Sequence, residues 1–507
     1  MTAATCSAWS TSSTTCPAPP ASSAPPAEGS GMTVCEQWGA WAAGLRLADV
    51  PQRVRERARL QIDSMRAAAA AGGEAAAPFA RQAPDGPPGR VYANAAASIA
   101  HDWDDYLFMG HTGHSTVWSA RAMTDDPERQ LLAQVAGNEL AGRLGAALLF
   151  GPHNGQFWAS IHCAGAATAA GVALGLGEEE VAHALAIALY QPPYGLFPGF
   201  MGPPTKLLTA AEPAAQGARA ALLAADGVRG ALEVIEARRG LLAHFAFVRR
   251  PAMLGALGRV WLTDTLAFKP WPGCAYVQAA IEAALRARAE AGGLAPEEVT
   301  SIEVHCGYLT VAMEALAPSE LGTPASVNFS TARSVAVALL AGRLTQQELA
   351  PSWLADHGAE IEQLAARVRV RHDWELTAQT LLGTTSAGGS AGDVTPAGWA
   401  TIVRRMRELG MADAALSPAD LLELARRPAL LRQLGAAVRL RRREGLAALD
   451  TGRVRLTFPC RLQIRLRSGA GLALEGAEPG SCNRPLAEQR EVISAKLRLT
   501  EMATAPG

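Results

Sequence analysis

From residue 33 to about 266, apolar residues recur at intervals of three and four, the spacing that gathers them on one face of an α-helix. Residues 131–150 (LLAQVAGNELAGRLGAALLF) show it well, and 161–176 and 178–190 repeat it. Alanine and glycine crowd residues 164–171, so helices there can approach closely. This pattern predicts a large all-helical domain over 33–267, packed around a shared core. After Phe268-Lys269-Pro270-Trp271-Pro272 the period changes. Residues 279–291, 329–342 and 345–354 keep the helical spacing, whereas 301–305 (SIEVH), 366–374 (ARVRVRHDW), 454–466 and 470–474 alternate as strands do. A smaller α+β domain is expected over 268–385 and 450–500. Residues 396–449 are helical in pattern, with starts at Thr395 and Ser417-Pro418, and follow a Gly- and Ser-rich linker. The stretch 386–449 therefore reads as a helical insertion, and the fold class as mainly α.

Three connections in the first part are long and rich in aromatic, Gly, Pro and His residues: 101–115, 151–160 and 191–205. Long loops of this composition inside a compact domain usually carry function. The chain start, residues 1–32, is Ala-, Ser-, Thr- and Pro-rich, with neither a basic start nor an apolar centre. It reads as a disordered tail and not as a signal peptide.

Composition narrows the function classes. The 507 residues carry a net charge of −1, so the basic excess of a nucleic-acid binder is missing. The basic runs 369–372 and 439–443 are short and read as solvated surface. No stretch is long and apolar enough to span a bilayer without interruption. The eight cysteines are scattered with no CxxC, which points to reduced thiols and a cytoplasmic protein. No glycine-rich nucleotide motif occurs.

The densest polar cluster is His101-Asp102-Trp103-Asp104-Asp105-Tyr106, followed by His111-Thr112-Gly113-His114-Ser115. Carboxylates beside imidazoles suit proton transfer, because a carboxylate fixes the histidine tautomer and raises its basicity. Lys206 and Lys269 are each a single cation in apolar or proline-rich surroundings. Such a lysine either binds a carboxylate or snorkels to the surface. His162, beside Cys163 on an apolar helix, reads as a satisfied core residue.

These motifs resemble those of the MmgE/PrpD family, which includes 2-methylcitrate dehydratase and cis-aconitate decarboxylase. Its H-A-x-D-F-D-D motif corresponds to His101-Asp102-Trp103-Asp104-Asp105, and its H-P-S to His114-Ser115. Its T-K-P-L-H-A-G resembles Thr205-Lys206-Leu207-Leu208-Thr209-Ala210-Ala211. Its K-P-Y-P-x-C matches Lys269-Pro270-Trp271-Pro272-Gly273-Cys274, and its F-S-x-x-x-x-V-A matches Phe329-Ser330 with Val335-Ala336. The likeness runs, with gaps, from about residue 35 to 375. Gln278 stands where a histidine often follows the K-P-Y-P-x-C motif.

The resemblance implies a homodimeric enzyme that works without metal or organic cofactor, its site in the cleft between two domains. It implies His114 as the acid/base with His111 as the alternative, Asp102 orienting the imidazole, and Lys206 and Lys269 binding negative charge. It extends the substrate-binding set to Asp105, Tyr106, His153, Gln156, Cys274 and Gln278. The expected activity is that of a lyase, dehydratase or decarboxylase in type, on a small carboxylate by proton transfer beside a carboxyl or carbonyl group. An isomerase or tailoring enzyme on the same fold, a non-catalytic homologue and a metal-dependent hydrolase are the rival readings.

Overall fold

The structure, a computed structural model, describes residues 31–152, 159–385, 394–410, 418–439 and 445–504. Residues from 32 onward belong to one structural unit. The fold is mainly α, with a small α+β part.

The helix Ala159–Leu174 is the axis of the first core: every residue from Ala159 to Ala173 is buried. A helix that is apolar all round has no face to give to water and must be surrounded. Around it pack Pro127–Ala147, Gly113–Met123, Glu178–Tyr190 and Leu208–Ala225. Small residues set the spacing. A Cβ on Gly217 would come within 2.4 Å of the Cys163 carbonyl oxygen, and one on Gly137 within 2.7 Å of that of Gly165. The helices Gln52–Arg81 and Gly86–Ile99 form a neighbouring pair in the same core.

The second core lies between a four-stranded sheet and two helices, Gln278–Glu290 and Thr331–Ala341. Numbering all described strands in chain order, β1 is Asp105–Tyr106, β2 Ala267–Phe268, β3 Val299–Cys306, β4 Val368–His372, β5 Cys460–Leu466 and β6 Gly471–Glu475. The sheet order is β4-β3-β5-β6, with β3–β4 parallel and the other pairs antiparallel. Val299, Ile302, Val304 and Cys306 of β3 turn inward with Leu462 and Ile464 of β5. Arg369 and Arg371 of β4 stay exposed, as alternation requires.

The structure departs from the sequence pattern in four places. The helix expected over 345–354 begins only at Pro351, because Thr345 and Glu348 form a local capped turn in which Glu348 accepts from the Thr345 backbone N–H at 2.9 Å. The strand expected from 454 starts at Cys460. A two-residue ladder, β1 against β2, places the strand Asp105–Tyr106 inside the range expected to be all helical. Finally, Leu486–Thr504 is a helix that packs on Gln52–Arg81, so Cys482 and Ile493 join the first core although they lie in the range expected for the smaller domain. Within 386–449 the described parts are helical, from Pro396–Glu408, whose N-cap Thr395 accepts from Gly398 N–H, to Pro428–Arg439.

Candidate functional site

The acidic motif follows directly on the helix Gly86–Ile99. Asp102 adopts a left-handed backbone (φ +51°), which Asp tolerates better than most residues. The chain then enters β1, turns at Leu107–Gly110 through paired backbone hydrogen bonds of 2.8 and 3.2 Å, and runs into the helix Gly113–Met123. The turn brings His111 and His114 back onto Asp104. Gly113 is required there: a Cβ would lie 2.4 Å from Asp105 Oδ1 and 2.7 Å from Met65 Sδ. The β1–β2 ladder carries Lys269 to the same carboxylate, and the Lys269 N–H donates to the Asp104 carbonyl at 3.2 Å.

Asp104 is the centre of the cluster. His111 Nδ1 lies 2.7 Å and His114 Nε2 3.0 Å from its Oδ2, and Lys269 Nζ lies 2.5 Å from its Oδ1. Burial works to raise its pKa, but the Lys269 ammonium and the two imidazoles outweigh it and hold the carboxyl well below the usual range. Burial likewise works against the Lys269 ammonium, and Asp104 reverses the balance and raises its pKa. An ionised Asp104 only accepts, so His114 Nε2 carries a proton. Burial lowers the pKa of His114, and its Nδ1 lies 2.8 Å from Ser98 Oγ. His114 is thereby fixed at both nitrogens. His111 differs: its side chain is 13% exposed, against 1% for His114 and Lys269.

A second pair lies beside the first. Lys206 Nζ is 2.9 Å from Asp102 Oδ2 and donates to the Ile99 carbonyl at 2.9 Å, with the rings of Phe200 and Phe329 each 5.6 Å away. The contact with Asp102 is an ion pair and not an aligned hydrogen bond, since the Asp102 oxygens have no partner of hydrogen-bonding geometry. The expectation that Asp102 orients the imidazole is therefore corrected: Asp104 does so, and Asp102 faces Lys206.

Asp105 faces away from this cluster, into a buried amide network. It accepts from Gln61 Nε2 at 2.6 Å, and Gln61 in turn accepts from Gln134 and Asn138. Burial, and then the Asp104 charge, push its pKa up to about 7. Tyr106 donates its hydroxyl to the Leu456 carbonyl at 3.3 Å. The Gln278 amide donates to the carbonyls of Trp271 and Gly273 at 3.1 Å each and so ties down the segment that follows Lys269. The Cys274 N–H donates to the Asn328 carbonyl, and burial raises the pKa of its thiol. His153 and Gln156 lie outside the described residues. His162 is buried, 3.3 Å from Ser115 Oγ and 6.0 Å ring to ring from His114.

Two participants were not picked out from the sequence. Asp104 sat unranked within a run of three acids. Lys496 projects from the last helix under the motif, its ammonium on the Trp103 carbonyl and on Ser64 Oγ at 3.1 Å. The sequence signal for it is scarcity: Lys206, Lys269 and Lys496 are the three lysines of the chain. Among the described residues, no group of three or more His, Cys, Asp or Glu side chains is arranged to hold a metal ion, and no helix is long and apolar enough to cross a membrane.

The MmgE/PrpD N-terminal domain matches residues 87–252 and the MmgE/PrpD C-terminal domain matches 271–397, together more than half of the chain. The chain belongs to the MmgE/PrpD family. No curated protein matches it. The N-terminal family domain holds the Asp104 cluster up to Lys206; Lys269 precedes the C-terminal domain by two residues, and Lys496 lies beyond both.

Proposed function

We propose that this MmgE/PrpD protein is a lyase that moves a proton at the carbon next to a carboxyl or carbonyl group of a small acid, in the manner of a dehydratase. Family membership is consistent with that chemistry. The observation that carries the reading is the sharing of Asp104 between two imidazoles and an ammonium, with His111 the exposed member. In this reading His111 is the acid/base and His114 the brace, reversing the order of preference drawn from the motif. Asp104 accepts the His111 Nδ1 proton and stabilises the imidazolium formed when the ring takes a substrate proton on the side away from the carboxylate. Lys269 keeps Asp104 ionised, and Lys206 sets positive charge beside Asp102, where negative charge developing on substrate oxygen gains from it. No step needs a group beyond these side chains, so turnover is expected to survive exhaustive chelation.

The test uses 2-hydroxy, 3-hydroxy and α,β-unsaturated carboxylic acids in deuterated water, following turnover and deuterium incorporation by NMR. His111→Gln is expected to reduce the rate by about a hundred- to ten-thousand-fold with the fold intact by circular dichroism. A His111→Gln protein as fast as the parent would remove His111 from the mechanism.

A further inference from the structure

Ser98 stands at the end of the helix Gly86–Ile99, just before the acidic motif. His114 and Trp118 lie one turn apart on the helix Gly113–Met123, and both reach the Ser98 hydroxyl. That hydroxyl has three neighbours and one proton. The Trp118 indole can only donate to it, at 3.2 Å, and the Ala95 carbonyl can only accept from it, at 3.1 Å. His114 Nδ1, at 2.8 Å, does either, according to the charge of the ring.

Two arrangements therefore satisfy the buried ring, and they differ only in where the hydroxyl proton points. With the ring neutral and its proton on Nε2 towards Asp104, the Ser98 hydroxyl donates to Nδ1. With the ring protonated, the Nδ1 N–H donates to Ser98 Oγ, and the hydroxyl turns to the Ala95 carbonyl. That carbonyl is not orphaned when the hydroxyl turns away, because it sits inside the helix and belongs to its ladder. A hydroxyl, an imidazole and a carboxylate in a row also describe an activated nucleophile. Ser98 is only 1% exposed and is covered by Trp118, so the row serves the imidazole and not the hydroxyl.

The surroundings of His114 pull its charge in both directions. Burial disfavours the protonated ring, as do His111 and Lys206, and Asp104 favours it; His162 faces it from the helix Ala159–Leu174, 6.0 Å ring to ring. A ring so placed needs an acceptor at Nδ1 when it is charged, since an unpaired charged N–H in the interior is costly.

We propose that Ser98 is a positioning residue of the site: its hydroxyl, turning between the Ala95 carbonyl and His114 Nδ1, lets His114 be neutral or protonated while the Nε2 N–H stays on Asp104. His114 and His111 meet the same oxygen, Asp104 Oδ2, so the hold on the carboxylate that His111 uses is kept in both states. The inference rests on the proton-transfer reading above and adds to it a residue that does not touch substrate.

The experiment is a pH titration of the full chain carrying ¹⁵N-labelled histidine, followed by NMR, with the His114 signals identified by their loss in His114→Gln. In the parent, Nε2 is expected to stay protonated throughout while Nδ1 gains its proton as pH falls. Ser98→Ala leaves the charged Nδ1 N–H without an acceptor, and a bond from a charged donor is worth more than a neutral one. The proton affinity of the ring is therefore expected to fall by about tenfold, or about one pH unit. Trp118→Phe removes a donor but keeps the hydroxyl, and is expected to shift the ring far less. A parent ring with its neutral proton on Nδ1, a ring that never charges before the protein unfolds, an unshifted Ser98→Ala, or equal shifts in Ser98→Ala and Trp118→Phe would each overturn the proposal. The parent measurement decides even if Ser98→Ala does not fold. The two readings fail separately. His111-dependent turnover with an unshifted His114 in Ser98→Ala would sink the role of Ser98 alone, whereas the expected shift with turnover indifferent to His111→Gln would sink the proton-transfer reading alone.

Discussion

Asp104 is fully buried and satisfies three proton donors at once. Asp104→Asn removes the charge but not the shape, leaving the Lys269 ammonium buried without its counter-ion. Breaking a buried pair from one side typically costs about 3–5 kcal/mol, so urea unfolding is expected to show a loss of that order; a loss under about 1 kcal/mol would mean that water or another group takes over. Glu478 gives a pH prediction away from the site. Burial raises its pKa from 4.5 to about 8, opposed by the Phe458 N–H and Arg484. The unfolded carboxyl gives up its proton near 4.5 and the folded one near 8, so between these values the folded state holds more protons. Its contribution to stability is therefore present below 4.5 and is lost as pH rises through 8. Glu478→Gln should flatten the fall in unfolding free energy between pH 5 and 8, and an unchanged slope would assign it to other groups.

At the scale of elements, the two-residue ladder does more for the site than its length suggests. β2 is held from two directions, by β1 and by the Phe268 N–H donating to the Gly480 carbonyl at 2.8 Å. A Cβ on Gly480 would lie 1.6 Å from the Phe268 carbonyl oxygen, so Gly480→Ala must push β2 and the adjoining Lys269 aside. We expect a loss of about 1–3 kcal/mol together with reduced turnover. Gly471→Ala in β6, whose Cβ would meet only Ile464 O at an ordinary 3.6 Å, should change stability by less than about 0.5 kcal/mol. Equal effects of the two substitutions in chemical denaturation would contradict this account of β2. The last helix acts in the same way, since it brings Lys496 from beyond both family domains to the Trp103 carbonyl.

At the scale of the whole molecule, the homodimer implied by family resemblance should appear in light scattering as about twice the 52.9 kDa chain mass, and a mass of one chain would remove it. The helical spacing of 131–150, 161–176 and 178–190, and the alternation of 301–305, were enough to predict a mainly helical chain with a small sheet. Periodicity is a local property, and helices and strands that bury one face announce it in their own residues. The same holds for the motif residues, because the spacing between Asp104, His111 and His114 is short enough for one turn to close. The sequence could not rank the carboxylates: Asp102, Asp104 and Asp105 are neighbours of one residue type, and only the left-handed turn at Asp102 and the pairing of β1 decide which meets an imidazole, which a lysine and which an amide. Nor could it bring Lys269 and Lys496 to the motif, since those approaches cross 165 and 393 residues of chain. Local pattern determined the elements and the chemical types available. Burial, which sets the charge states, and long-range packing, which sets the partners, exist only once the chain has folded.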